Sequence, residues 1–146
     1  MINDQMPVVG KLTLTLRDEQ GNVKQEIEKN NLIVNAGKAF LANAVLNSSA
    51  SPFTYMAIGT SGTAAAVTDT ALGSETVRQV FTTGTVSTNV VTLVTTYAAG
   101  TGTAALQEAG IFNASSAGTM LSHVVFSTIN KGAADSLTIT WTITVG

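Results

Sequence analysis

Apolar and polar residues alternate most strictly at the C-terminal end of the chain. Every second position there is apolar, namely Leu137, Ile139, Trp141, Ile143 and Val145. The positions between them are all threonine: Thr138, Thr140, Thr142 and Thr144. A period of two predicts a β-strand with one buried face. A row of threonines favours a strand but does not repel an incoming strand as lysine would, so we predict that this strand is central in its sheet or that its threonine side is covered.

The N-terminal part of the chain carries a hairpin pattern followed by a helix pattern. Leu12, Leu14 and Leu16 alternate with polar residues, and the turn-forming residues 18–22 separate them from a second run at 23–28. This order predicts a β-hairpin. Asn35, which suits an N-cap, then precedes apolar residues at helical spacing. We therefore predict one short amphipathic α-helix over about residues 36–46.

Further along, short apolar runs recur between turns rich in glycine, threonine, serine and alanine. The runs cover residues 53–58, 76–82, 90–97, 106–112 and 120–126. Several short strands separated by turn signals are typical of an antiparallel sandwich or barrel. We expect an all-β fold: a single jelly-roll-like antiparallel β-sandwich domain spanning residues 1–146, with one short α-helix and with residues 1–10 able to form an extended N-terminal arm.

The charge content changes how the surface is interpreted. Only 11% of the 146 residues are charged, although 45% are hydrophobic and the net charge is −2, whereas about 25% is ordinary for a soluble domain. Residues 1–38 hold ten of the sixteen charged residues. A monomer normally keeps apart from its neighbours through a mixed charged surface. We expect a protein partly covered by copies of itself or by a larger body. The charged N-terminal part is then either a solvated first hairpin or the side that stays exposed while the later strands contact partners.

Several classes of protein are disfavoured by what the sequence lacks. There is no cysteine, which excludes disulfides, thiolate zinc sites and thiol nucleophiles. The first residues do not resemble a secretion signal, and no apolar stretch approaches the length of a membrane span. Seven basic residues without a cluster give no footprint for nucleic acid. We expect a soluble protein, made in the cytoplasm, with no membrane or nucleic-acid partner.

His123 is the only histidine, so few catalytic arrangements are possible. A serine–histidine–carboxylate site could formally use Asp69, Glu75, Glu108 or Asp135, but no Gly-x-Ser-x-Gly turn presents a serine. We therefore expect no catalytic residues and no enzyme. His123 is expected on a strand with a satisfied hydrogen bond or at a contact between subunits.

Cofactor and metal patterns are equally weak. Residues 100–105 fit a loose Gly-x-Gly-x-x-Ala pattern, but no helix or acidic partner follows. The acidic residues of the later chain are too dispersed for a calcium loop. We expect no cofactor, no metal and no small-molecule substrate. Glu108 lies in an apolar stretch and, if buried, needs a partner such as Arg78 or Lys131.

Four segments in order resemble a family of small virion proteins of tailed bacteriophages. They are NLIVNAGKAFLANAVLN at 31–47, YMAIGTSGTAAAVTDTALGSE at 55–75, EAGIFNASSAGTMLSHVVF at 108–126 and INKGAADSLTITWTITV at 129–145. Members are capsid decoration (cement) proteins or tail-associated structural proteins. The resemblance implies a β-sandwich that oligomerises, commonly as a trimer, on the outside of a particle, and it brings no catalytic residues.

The low charge content indicates only a structural protein, and the resemblance implies, more specifically, a capsid decoration protein. It would form a trimer on the outer capsid surface of the virion and bridge subunits of the major capsid protein, with Thr138, Thr140, Thr142, Thr144 and His123 at its interfaces. One alternative is a tail, baseplate or fibre component of the same virion. A more remote one is a carbohydrate-binding sandwich, although the chain has few aromatic residues with which to stack on a sugar.

Overall fold

Two antiparallel five-stranded sheets face each other across the core in this computed structural model, which describes residues 6–146. The strands are β1 (Val8–Arg17), β2 (Val23–Asn30), β3 (Leu32–Ile33), β4 (Tyr55–Gly59), β5 (Glu75–Val80), β6 (Thr83–Ser87), β7 (Val90–Tyr97), β8 (Ala104–Phe112), β9 (Met120–Lys131) and β10 (Ser136–Val145). Helix α1 (Asn35–Ala44) is the only helix in this part of the chain. The predicted all-β sandwich with one short helix is confirmed.

The two sheets have different strand orders. Sheet A runs β2-β1-β10-β7-β6, and sheet B runs β3-β9-β8-β4-β5. The predicted N-terminal arm falls partly within the described residues: 8–10 belong to β1 and pair with β10, while residues 1–5 lie outside the described part of the chain.

Strand β10 occupies the middle of sheet A, between β1 and β7, as its alternation predicts. Its apolar side chains point into the sandwich, where Trp141 and Ile139 are fully buried against Leu12 and Leu14 of β1. Tyr97 of β7 crosses the core, and its hydroxyl donates a hydrogen bond to the Met56 carbonyl of sheet B at 2.7 Å. The inner faces of the two sheets therefore form one continuous core.

The turn of the first hairpin is stabilised by the side chain and backbone of residues 18–22. The Asp18 carboxylate accepts hydrogen bonds from the backbone N–H groups of Gln20 and Asn22, at 3.0 and 2.9 Å. Gly21 has a φ of +88°, which glycine adopts at no steric cost. The turn predicted at residues 18–22 is thus present, and it joins β1 to the edge strand β2.

Helix α1 differs from its prediction in bounds and in environment. It covers residues 35–44, and its N-cap is Val34 with no side-chain hydrogen bond, so the predicted capping role of Asn35 is wrong. Only Gly37 is buried in the helix, and the expected apolar stripe is largely in water beyond Phe40. The first turn of the helix lies close against β9, since a Cβ on Gly37 would lie 2.5 Å from the Leu121 carbonyl oxygen.

The outer face of sheet B is covered, and this creates a second small core. Val34, Ala57, Leu72, Phe112 and Met120 are buried together there. Leu72 comes from residues 60–74, the segment that joins β4 to β5. We call residues 60–74 the covering segment. The covering segment and the first turn of α1 thus shield sheet B.

Candidate functional site

The outer side of sheet A presents a field of threonines. Thr140 faces outward from β10, with Thr13 of β1 and Val94 of β7 as its direct neighbours. We define the threonine face as the outward threonines of β1, β10 and β7: Thr13, Thr15, Thr138, Thr140, Thr142, Thr144, Thr92 and Thr96. All eight are of intermediate exposure. Three of these hydroxyls bond within the sheet: Thr96 Oγ1 and Thr138 Oγ1 lie 3.1 Å apart, and Thr142 Oγ1 donates to the Lys11 carbonyl oxygen at 3.3 Å.

Charge is confined to one side of this face. The outward residues of β1 and β2 include Lys11, which pairs with Glu28 at 3.2 Å between exposed side chains. In contrast, β10, β7 and β6 contain no charged residue. The uneven distribution of charge along the sequence therefore becomes a spatial division across sheet A.

A second candidate site is the buried carboxylate of Glu108 on β8. It is completely inaccessible to water, yet it accepts three backbone N–H hydrogen bonds from the covering segment. These come from Ser61 at 3.0 Å, Gly73 at 2.8 Å and Ser74 at 2.7 Å. His123 Nε2 lies 3.0 Å from Glu108 Oε1. The partners expected from the sequence, Arg78 and Lys131, are wrong.

His123 links Glu108 to a second carboxylate. Its Nδ1 lies 2.7 Å from Asp69 Oδ2, and its side chain is only 5% exposed. Both carboxylates also accept backbone N–H bonds, Asp69 from Ala66 at 2.8 Å. Each ring nitrogen of His123 therefore faces a carboxylate oxygen. We call Asp69, His123 and Glu108 the carboxylate–histidine cluster.

The carboxylate–histidine cluster holds the covering segment through Glu108, which accepts its backbone N–H groups, and through His123, which contacts its Asp69. Burial alone would raise the pKa of Asp69, but the hydrogen bonds from Ala66 and His123, together with the histidine charge, hold that pKa below its usual value. Glycines allow the close approach, since a Cβ on Gly59 would lie 2.6 Å from Glu108 Oε2. The cluster therefore fastens residues 61–74 to strands β8 and β9.

The chemistry open to this cluster is narrow. His123 uses both ring nitrogens on carboxylates, so it has no free lone pair to accept a proton from a serine. Within residues 6–146 no group of three or more histidine, cysteine, aspartate or glutamate side chains is arranged to hold a metal ion. His123 is a strand residue with satisfied hydrogen bonds, and being buried it is not included in the contact surface proposed below.

A second charged cluster fixes the turn before β10. Lys131 is buried, and its Nζ donates to the carbonyl oxygens of Ala98 and Asp135 at 3.0 and 2.7 Å. The Asp135 carboxylate pairs with Lys24 of β2 at 2.8 Å and accepts the Gly132 N–H. The hydrogen bond from Lys24, with the one from Gly132, holds the pKa of Asp135 below its usual value. These contacts orient the start of β10.

Aromatic residues do not form an exposed platform. All eight lie within the described residues, and none is in the exposed class. Trp141 is fully buried, while Phe40 packs edge-on against Phe53 with ring centroids 4.6 Å apart. A sugar-stacking surface would need exposed rings, so the carbohydrate-binding alternative finds no support in this arrangement.

Comparisons with known proteins add no identity. No protein-family model, no curated protein and no solved structure matches this chain. Among the helices of residues 6–146, none has the length and apolar character needed to cross a membrane.

Proposed function

We propose that this chain is a non-catalytic structural protein of a tailed-phage virion, most simply a decoration protein on the outside of the capsid. In this proposal it forms a homo-oligomer, expected to be a trimer, and bridges subunits of the major capsid protein. The observation that supports the proposal best is the threonine face, a broad polar surface at the centre of sheet A on which β10 and β7 contribute no charged residue.

The threonine face suits contact with protein because covering it requires little desolvation of charge. Removing an ionised side chain from water costs several kcal/mol unless it is paired, whereas a threonine hydroxyl needs only one hydrogen-bond partner. The hydroxyls of Thr138 and Thr142 already bond within the sheet. A partner can therefore cover the β10–β7 side and leave the charged β1–β2 side in water.

In this proposal the protein stabilises the capsid shell by mass action. A protein that binds only the assembled shell lowers the free energy of that shell, by about 2.7 kcal/mol per site when its free concentration is 100 times the dissociation constant. Because a shell offers many equivalent sites, this contribution accumulates and opposes the internal pressure of packed DNA.

Binding to phage heads tests the proposal. Heads of the phage that encodes the chain, prepared without this protein, should take up purified protein at hundreds of copies per particle and withstand a higher temperature. Saturation at a dozen copies or fewer would favour the tail, baseplate or fibre alternative. Binding to neither heads nor tails would refute a virion role.

A single substitution tests the surface. Thr140→Lys places a charge at the centre of the threonine face, and we expect it to reduce oligomer size or head binding while the thermal midpoint changes little. Thr128→Lys, at an exposed position of β9, is the matched control and should behave as the wild type. If Thr140→Lys assembles and binds normally, the threonine face stays in contact with water and the proposal loses its main support.

A further inference from the structure

The two edges of sheet A differ in how they are protected. Edge strand β2 carries Lys24, Glu26, Glu28 and Lys29. The opposite edge, β6, has five residues that are all exposed, and it contains neither a charge nor a proline. Edge strands present unpaired backbone N–H and C=O groups, and proteins usually protect them with charges, above all lysine, or with proline. Strand β6 is therefore open to pairing.

Exposed apolar side chains occur beside the same edge. Val86 of β6 and Val80 of β5 are 72% and 59% exposed. Val86 pairs with Val91, which packs against the core, so it points to the inner side of sheet A and yet remains uncovered. Beneath β6 lies a groove of about 380 Å³, lined mainly by Phe53, Val80, Phe81, Val86, Val91 and Leu93.

We propose that β6 pairs antiparallel with β6 of a second copy of this chain. The pairing would join two copies of sheet A into one continuous sheet and cover Val86 and the groove beneath it. In such a two-fold contact the same patch meets itself, with the first residue of one β6 opposite the last residue of the other.

Charge complementarity favours a second copy as the occupant. In a two-fold contact any charge near the axis lies close to its own like charge and is repelled. Residues 79–107, which contain β6, β7 and the preceding turn, include no charged residue. Two copies of this stretch can approach each other without charge repulsion, whereas the same pairing at the β2 edge would set Lys24 opposite Lys29 of the second copy.

The size of the patch determines the strength expected. A standard interface buries about 800 Å² per partner and uses about 20–30 residues a side. Strand β6 supplies five residues, and the groove adds only a few more. We therefore expect a small interface and reversible association that rises with concentration.

This contact goes beyond the proposed function, because it is two-fold and the proposed oligomer is a trimer. If trimers form through another surface, β6 pairing joins two trimers into one larger assembly. Either way, at concentrations where the β6 contact is saturated, removing it should halve the mass of the particle in solution.

Val86→Lys is the decisive variant, with Val23→Lys as its matched control. Val23 is a 50% exposed valine on the opposite edge strand of the same sheet. Sedimentation velocity over a concentration series should show even-numbered assemblies for the wild type and for Val23→Lys. Val86→Lys should give half that mass, with an unchanged circular dichroism melt. A wild type that remains monomeric or trimeric at the highest concentration, or an unchanged mass for Val86→Lys, would overturn the proposal.

Hydrogen exchange gives a second readout that needs no variant. Amide protection at residues 83–87 of the wild type should increase with protein concentration, while protection at residues 23–30 should not. Equal behaviour of the two edges would contradict β6 pairing even if Val86→Lys fails to fold. Loss of head binding alone would count against the virion role and leave these measurements unaffected.

Discussion

Replacing Glu108 by glutamine tests whether the buried carboxylate holds the covering segment. In the wild type, Oε2 accepts the N–H groups of Ser61 and Ser74, and Oε1 accepts Gly73 N–H and His123 Nε2. Glutamine keeps one acceptor oxygen and replaces the other with an NH₂ group. If the NH₂ group takes the place of Oε1, the Gly73 N–H loses its acceptor; if it takes the place of Oε2, the N–H groups of Ser61 and Ser74 lose theirs.

The magnitude follows from these contacts. Hydrogen bonds to a charged group contribute about 1.5–3 kcal/mol each, and a buried donor left unpaired costs about 1–3 kcal/mol. The variant replaces hydrogen bonds to a charged group by neutral ones and leaves at least one buried N–H donor without an acceptor. We therefore expect the free energy of unfolding to fall by about 3–5 kcal/mol. The total free energy of unfolding of a native protein is about 5–15 kcal/mol. Glu108→Gln should therefore remain folded at low temperature but unfold at clearly lower urea concentration.

Hydrogen exchange and urea unfolding measure the effect directly. The amides of Ser61, Gly73 and Ser74 should lose protection before those of strand β10. Glu28→Gln is the matched control: its ion pair with Lys11 joins two exposed side chains, and such pairs contribute about 0–1 kcal/mol. Equal urea midpoints for the two variants, with protection at residues 61 and 74 unchanged, would refute the anchoring role of Glu108.

Two further predictions concern pH and the helix. The pKa values of Asp69 and Asp135 are lowered by folding, so the stability they contribute is present above about pH 4 and is lost as the pH falls through the folded values. The urea midpoint should fall on acidification, and it should fall less for Asp69→Asn; an equal fall in both proteins would contradict the assignment. Gly37→Ala would favour an isolated helix by about 1 kcal/mol, but its Cβ would lie 2.5 Å from the Leu121 carbonyl oxygen. We expect Gly37→Ala to have a lower thermal midpoint than Asn43→Ala. A higher midpoint for Gly37→Ala would show that β9 can shift to make room for the added Cβ.

Local pattern was sufficient for most of the sandwich. The alternation at residues 137–145 placed a strand that is central in sheet A, and the run at 90–97 matches β7. Strand β6 was not predicted, because Thr83–Ser87 has only one large apolar residue and its pairing with β7 provides most of its support. The apolar stripe predicted for the helix is wrong, because Gly37 is the only buried residue of α1 and the stripe residues Leu41 and Val45 remain 38% and 80% exposed.

The carboxylate–histidine cluster could not be found from spacing. Asp69 and His123 are 54 residues apart in sequence and meet only because the covering segment folds back over sheet B. A partial signal existed: β8 and β9 form a hairpin, and its register sets Gly110 opposite His123, near Glu108. Electrostatic reasoning still favoured arginine or lysine over histidine, because it could not foresee three backbone N–H donors.

The motifs that carry the phage resemblance are explained largely by this local architecture. In DTALGSE, Asp69 binds His123, Leu72 fills the second core, and Gly73 and Ser74 donate to Glu108. EAGIFN supplies Glu108 itself and Gly110, where an added Cβ would lie 2.9 Å from Leu72 Cδ2. In this chain these residues make contacts within the fold that do not depend on any partner. The resemblance therefore supports the fold more directly than the role, so the experiments that decide the role are the binding of purified protein to phage heads and the effect of Thr140→Lys on that binding.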